Sequence, residues 1–293
     1  MSGYQHIKYA TKTSDFKHVQ YEVKDKIARI TLNRPAQANV QSTILLEEVD
    51  HAFDRAAADP QVNVIVMSGE GKNWSAGHDL GTADELEHRK SFPIEEGTRG
   101  VFERSWRLYV DMHLRWRNNP KPVICAVHGY CIFGGWMVAS TADVIFASED
   151  ALFLGSGFQY FSIPYDIHHR KAKEYLFQSK FIDAQQAREM GFVNRVVPRE
   201  RLMDEVLAYA ADVAANDTFD MRMTKLAINQ ALDAQGFTAH IISAHSTYVN
   251  RHMSRMEPGY QLPNPRDKGK KRMPMVQVAL ERYERDQAKT KKG

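Results

Sequence analysis

Apolar and polar residues alternate through Val19-Gln20-Tyr21-Glu22-Val23, pause at Lys24-Asp25-Lys26, and alternate again from Ile27 to Leu32. This pattern predicts a β-hairpin that Asn33-Arg34-Pro35 ends. From Ser42 to Ala58 the spacing becomes helical, with Leu45, Leu46, Val49, Phe53 and Ala57 on one face and Ser42 as the N-cap. The β-branched run Val62 to Met67, held between Pro60 and Gly69-Glu70-Gly71, reads as a buried strand. A loop from Lys72 to Gly81 follows it.

Thr82 to Asn118 is helical in tone, with interruptions at Pro93 and Gly97. Next come a strand over Val123 to Val127, a helix over Gly134 to Ala142 and a strand over Asp143 to Ala147. Strand, helix and strand at this spacing imply parallel crossover units. Short helices over Lys171 to Ser179 and Asp183 to Met190 lead to a strand over Phe192 to Pro198. Beyond it the strands stop. Arg201 to Asn216, Met221 to Ala234, Ile241 to Met256 and Val276 to Lys289 read as helices, and the Pro-, Gly- and charge-rich stretch Pro258 to Pro274 as a loop. The expected organisation is an α/β core over residues 1–198 and a helical region over 199–293, with an insertion at 258–274.

Composition narrows the function. The 293 residues are 43% hydrophobic and 26% charged, with a formal net charge of +3. That suits a globular chain and gives no reason to expect a nucleic-acid partner. Basic residues do cluster at Arg266 to Arg272 and at Lys289 to Lys292, as a solvated loop and tail or as a patch for phosphates. Cys125 and Cys131, the only cysteines, share one apolar segment and suggest a reduced, cytoplasmic protein rather than a disulfide framework. Met1 to Thr13 carries no apolar core of a secretory signal, and no apolar run reaches the ~18 residues of a membrane span. Twelve histidines and two cysteines show no trustworthy metal-ligand spacing.

Two glycine-bearing loops carry the chemistry. Ser75-Ala76-Gly77-His78-Asp79-Leu80 and His128-Gly129-Tyr130 to Gly134-Gly135-Trp136-Met137 each follow an apolar run. Together they can aim two backbone N–H groups at one oxygen, which is the geometry of an oxyanion hole.

The succession of Asn33-Arg34-Pro35, these two loops, Lys121-Pro122-Val123-Ile124, Ala142-Asp143, Ala147 to Phe153, Ala184 to Gly191 and Val193 to Pro198 resembles the enoyl-CoA hydratase/isomerase (crotonase) superfamily over about residues 19–235. The resemblance implies a ββα spiral core with a C-terminal helical region that builds trimers or hexamers. It also implies an acyl-CoA thioester as ligand and no prosthetic group, coenzyme A arriving as part of the substrate. The oxyanion donors would be the main-chain N–H groups of His78 and Gly134. Main chain near Ala38 and Ala76 would line the pantetheine and adenine ends, with Asp79, Trp136, Met137, Gly157 and Tyr160 also in the binding region.

The chain departs from the family where water would be activated. Hydratases of the family use two glutamates. Their positions hold Met137, two residues after the Gly-Gly pair, and Gly157, four residues after Phe153. Neither residue moves a proton, and hydration needs both an acid and a base. Replacement candidates lie in the shortened loop Tyr165-Asp166-Ile167-His168-His169-Arg170. Asp166 lies within about one residue of the working Asp of the family's dehalogenating branch; its structural alternative is a helix cap. Tyr160 and Tyr165 could donate hydrogen bonds, and His168 or His169 could act near neutral pH. Glu103 and Asp111 are further candidates, whereas Asp143 and Glu149 read as structural. Trp136, Phe133, Phe158 and Phe161 predict a bulky aromatic wall suited to a cyclic or hydrophobic acyl group. Three functions follow. One is an acyl-CoA enzyme with relocated acid/base groups performing C–C hydrolysis, decarboxylation or isomerisation. The others are an atypical enoyl-CoA hydratase and a non-catalytic acyl-CoA-binding subunit.

Overall fold

A computed structural model describes residues 15–91, 97–255, 257, 259 and 274–290. The hairpin forms as the alternation predicts, with β1 (Val19–Lys24) antiparallel to β2 (Ile27–Leu32). Its two-residue turn puts both Asp25 and Lys26 at positive φ, the twist that tight hairpins favour. Helix α1 (Thr43–Ala58) starts where Ser42 Oγ accepts the Leu45 N–H.

Strand β3 (Val64–Gly69) runs parallel to β2. Helices α2 (Ala83–Ser91) and α3 (Gly97–Ser105) lead into a π-helical turn, Trp106–Asp111, and then α4 (Met112–Arg117). Strand β4 (Val123–Val127) pairs with β3 and with β6 (Val144–Ser148), and β9 (Arg195–Val197) closes the far edge. The six-stranded sheet therefore has the order β1-β2-β3-β4-β6-β9, parallel beyond the opening hairpin.

A second sheet of three strands stands beside it: β5 (Tyr130–Ile132), β7 (Leu152–Leu154) and β8 (Ile182–Asp183). Helix α5 (Gly134–Ala139) follows β5, and α6 (Ile163–Asp166), α7 (His169–Gln178) and α8 (Ala184–Glu189) connect the remaining strands. The predicted helix over Gly134 to Ala142 is thus three residues shorter.

The C-terminal helices are α9 (Leu202–Ala214), α10 (Thr218–Ala234), α11 (Phe237–Ser254) and α12 (Pro274–Thr290). They follow the expected boundary at residue 198, and three of them pack against the core that precedes it. Helix α9 buries Leu202, Val206, Ala210 and Ala214 against Ile27, Val64, Val66, Ile124, Ala126 and Phe146 on one face of the large sheet. That face is apolar because both faces of a parallel sheet need cover. Helix α11 sends Phe237 and Ile241 into the core on the other side, and α12 packs Ala279 against Ile132, Leu154 and Phe181 of the small-sheet layer. Helices α9, α11 and α12 thus add to the core, whereas α10 buries no residue. Most of the insertion at 258–274 lies outside the described residues, as do residues 1–14. No helix among the described residues is long and apolar enough to cross a membrane. Cys125 and Cys131 are buried free thiols.

Candidate active site

The loop after β3 is threaded between two backbones. On one side Ala76 N donates to Ala38 O at 2.9 Å, Gln41 N to Gly77 O at 2.8 Å and Asp79 N to Gln41 O at 3.0 Å. On the other, Ser75 N donates to Tyr130 O and Ile132 N to Ser75 O, both at 2.9 Å. Gly77 N reaches Ser75 Oγ at 3.2 Å. Every residue from Ser75 to Asp79 except His78 therefore has an acceptor for its N–H. The same holds across the gap: Phe133 N donates to Leu154 O, while Gly134, the first residue of α5, keeps its N–H free.

The two segments touch. Gly77 has φ +92°, and a Cβ on it would come within 2.8 Å of Ile132 O and 3.3 Å of Gly134 N. A side chain there would force the segments apart. Phe133 adopts φ 48°, an unfavourable left-handed conformation that turns the chain from β5 into α5 and aims the start of the helix at the loop. Two N–H groups without an acceptor among the described residues, one from a loop and one from a helix start, therefore lie on segments packed against each other.

Four buried polar side chains at or near this contact lack hydrogen-bond partners among the described residues. They are Gln41 through both amide atoms, His78 through Nε2, His113 through both ring nitrogens and Tyr160 through its hydroxyl. A Cβ on Gly134 would strike Gln41 Oε1 and lie 2.8 Å from His78 Cδ2, so both side chains sit against the helix start. The His78 ring packs on Tyr109 at 4.2 Å, and His113 lies 5.4 Å from the Tyr160 ring. Burial, with Arg104 second, pushes the His78 pKa down to about 3. Burial, with His78 second, does the same to His113, where the Leu108 carbonyl one π turn earlier gives a small opposing pull. Both imidazoles are neutral at physiological pH. Burial drives the Tyr160 pKa well up, with Asp166 adding to the effect, so its hydroxyl stays protonated. Unpartnered polar groups are costly in a core.

Asp166 stands behind this cluster. Its Oδ2 accepts from Trp136 Nε1 and from Ser162 Oγ, each at 2.8 Å. Burial raises its pKa to about 6 despite both bonds, which pull the other way. It lies at the end of α6 and caps nothing; His168 is the residue that caps α7.

Several expected site residues have other occupations. Trp136 is fully buried and stacks on Phe192 at 4.1 Å, so it belongs to the core and not to a pocket wall: one residue of helical rotation takes it away from the Gly-Gly face. The Asp79 carboxylate is held by Gly81 N, Thr82 N, Thr82 Oγ1 and Arg34, and it fixes the loop instead of facing a ligand. Tyr165 turns toward the C-terminal helices, its hydroxyl 3.5 Å from Gln235 O and its ring on Phe237. His168, His169, Glu103 and Asp111 are exposed. Asp143 pairs with Lys225 at 2.8 Å and accepts from Val123 N, a structural role. Met137 is fully buried on α5, and Gly157 is half-buried beside α11. Ala38, at φ 51°, and Ala76 meet at a partly exposed rim. No group of three or more His, Cys, Asp or Glu among the described residues could hold a metal ion.

Gln41 and His113 escape a search of the sequence for carboxylates. His113 leaves one trace, being one turn after Tyr109 on an otherwise apolar face with Leu108, Met112 and Trp116. Gln41 leaves none, because it reads as an ordinary loop residue before a helix cap.

The free N–H pair on a spiral of crossover units agrees with direct comparison. Residues 22–260 match the profile of the enoyl-CoA hydratase/isomerase family. The chain belongs to this family, also called the crotonases. EchA13 of Mycobacterium tuberculosis, which bears the provisional name of an enoyl-CoA hydratase, is 35% identical over 246 residues, 77% of this crotonase and 77% of its own length. A crystal structure of a probable enoyl-CoA hydratase from Mycobacterium smegmatis superposes with TM-score 0.76 at 40% identity, covering 82% of this chain and 95% of that one. An enoyl-CoA hydratase/isomerase from Xanthobacter autotrophicus Py2 gives TM-score 0.74 at 30% identity, covering 82% and 88%. The protein is a crotonase-family acyl-CoA enzyme.

Proposed function

We propose that this crotonase processes an acyl-CoA thioester through an enolate or tetrahedral oxyanion held by the N–H groups of His78 and Gly134, with protons moved by groups other than a glutamate pair. The observation that carries this reading is the set of unpartnered polar atoms of Gln41, His78, His113 and Tyr160 around the two free donors. One oxyanion donor is worth ~3 kcal/mol of transition-state stabilisation. With Met137 and Gly157 at the hydratase positions, the proton inventory consists of two neutral imidazoles, a protonated Tyr160 and Asp166 held near pH 6. This set favours reactions in which carbon–carbon cleavage releases the enolate and a neutral acid quenches it, or in which one group removes a proton and returns it to another carbon to shift a double bond. Hydrolytic C–C cleavage, decarboxylation and isomerisation all meet that description. Phe133, Phe158 and Phe161 line an adjoining cavity suited to a bulky or cyclic acyl group. The coenzyme A arm would run past Ala38 and Ala76.

Atypical hydration is the second reading, favoured by the names of the relatives. Here Asp166, ionised above about pH 6, would have to act as the base.

A turnover panel of crotonyl-CoA, cyclic enoyl-CoA, cyclic β-ketoacyl-CoA and malonyl-type CoA esters, read by tandem mass spectrometry and product NMR, separates the two. The proposal expects ring opening, loss of carbon dioxide or a shifted double bond. Efficient gain of one water by crotonyl-CoA with the chain intact would overturn it in favour of hydration.

A further inference from the structure

A cavity of about 740 Å³ opens beside the helix start, bounded by Phe133, Gly157, Phe158 and Phe161 on one side and by Arg251 of α11 and Arg255, just past its end, on the other. Gly157 is open space only in name. A Cβ built on it would run into Arg251 Nη1, so the guanidinium occupies the volume that a side chain at 157 would fill. A positive charge has replaced an amino-acid side chain at this point of the site.

That charge is uncompensated among the described residues. The two fully buried arginines, Arg34 and Arg117, are each paired with a carboxylate at 2.7–3.2 Å. Arg251 has only a long contact, 3.4 Å from Nη2 to Ser156 Oγ. Burial and the neighbouring Arg255 both push its pKa down, and only the Tyr248 hydroxyl works in the opposite sense. A planar fork of donors facing a cavity, with aromatic walls and no acid at hand, is complementary to a carboxylate on a carbon chain.

Which anion it meets follows from position. Phe133, a wall of the cavity, immediately precedes the oxyanion donor Gly134. A thioester carbonyl at Gly134 therefore puts the acyl carbons, rather than the phosphates beyond the long pantetheine arm, next to Gly157. This step rests on the acyl-CoA reading above. We infer that the cavity is a carboxylate subsite, in which Arg251, with Arg255 beside it, takes the terminal carboxylate of a dicarboxylic acyl-CoA as substrate or product. The bound carboxylate is a recognition handle and stays on the molecule. An ion pair stabilises a carboxylate in the ground state and would hinder its loss as carbon dioxide.

Equilibrium binding of adipyl-CoA, hexanoyl-CoA and free coenzyme A to the full chain tests the inference. The first two esters have equal length and differ in the terminal carboxylate. Wild-type protein prefers adipyl-CoA to hexanoyl-CoA, Arg251→Met cuts that preference on the order of 10- to 100-fold, and Arg251→Lys falls between. Unaltered affinity for free coenzyme A shows that the variant is folded. Equal losses for both esters and for free coenzyme A would assign Arg251 to the phosphates and overturn the subsite. A wild-type protein that binds both esters without preference also overturns it. Failure of either ester to bind wild-type protein more tightly than free coenzyme A would instead reject the acyl-CoA reading on which the subsite rests.

Discussion

Asp166→Asn should stabilise this protein, and should do so only above a definite pH. Burial raises the Asp166 pKa from an ordinary 3.8 to about 6, so the fold favours the protonated carboxyl. The stability carried by that form is intact below pH 3.8 and is lost as pH climbs through about 6. The distance between the two values corresponds to roughly 3 kcal/mol, a ceiling because Asp166 keeps some exposed surface. Asparagine resembles the neutral carboxyl in size and can still accept from Trp136 and Ser162. The stability difference between variant and wild type should therefore be near zero at pH 4 and rise to at most about 3 kcal/mol at pH 7.5, or roughly 5–10 °C in Tm. Urea titrations at a series of pH values between these limits measure it directly. Trp136→Phe supplies the control. Removing a donor to the ionised oxygen raises the pKa further, so the inflection moves to higher pH. A difference that is flat across the series, or a variant less stable at pH 7.5 than at pH 4 relative to wild type, would refute the argument. A carboxylate kept in so costly a position is a candidate for work at the site.

Tyr160→Phe should set stability against activity. Loss of an unpartnered buried hydroxyl adds about 1–3 kcal/mol of stability, while kcat falls on the order of 100-fold with acyl-CoA affinity retained. Unchanged kcat would remove Tyr160 from the proton inventory. Helix α10 has no buried residue and exposes Phe219, Leu226 and Ile228, which suits self-association into the trimer or hexamer the resemblance implies. Sedimentation equilibrium should return such a mass, and Phe219→Ser with Ile228→Ser should lower it. A monomeric wild-type chain would refute this use of the helix.

The parts legible in the sequence are those where local chemistry and tertiary context agree. The hairpin, the Ser42-capped α1 and the buried strands β3, β4 and β6 follow from alternation, capping and β-branched runs. The small sheet did not show itself, because β5 and β7 have three residues each, too few to display a period, and β8 has two. The close approach of the Ser75–Asp79 loop to the start of α5 was legible because glycines reveal it. The polar cluster was not: Gln41 and His113 acquire meaning only from what faces them across the fold. Trp136 misled for a related reason. An aromatic in an all-apolar helix gives no hint of which side it takes, and its N–H found Asp166 in the interior. The break assumed at Pro198 followed the end of the strands, but a sheet face lined by Val64, Val66 and Phe146 recruits the next helix whatever the composition.

The main-chain N–H groups of His78 and Gly134, which we propose as oxyanion donors, belong to the chain's path rather than to any side chain. Inheritance of this device is therefore insensitive to most codon changes at position 78. It depends instead on distant residues such as Asn39, Arg34 and Asp79 that hold the loop in place. A lineage can thus replace its proton carriers one at a time while still holding the same charged intermediate, and each variant begins with a partly working catalyst. Two proteins of this kind can share an ancestor and a backbone and yet release different products.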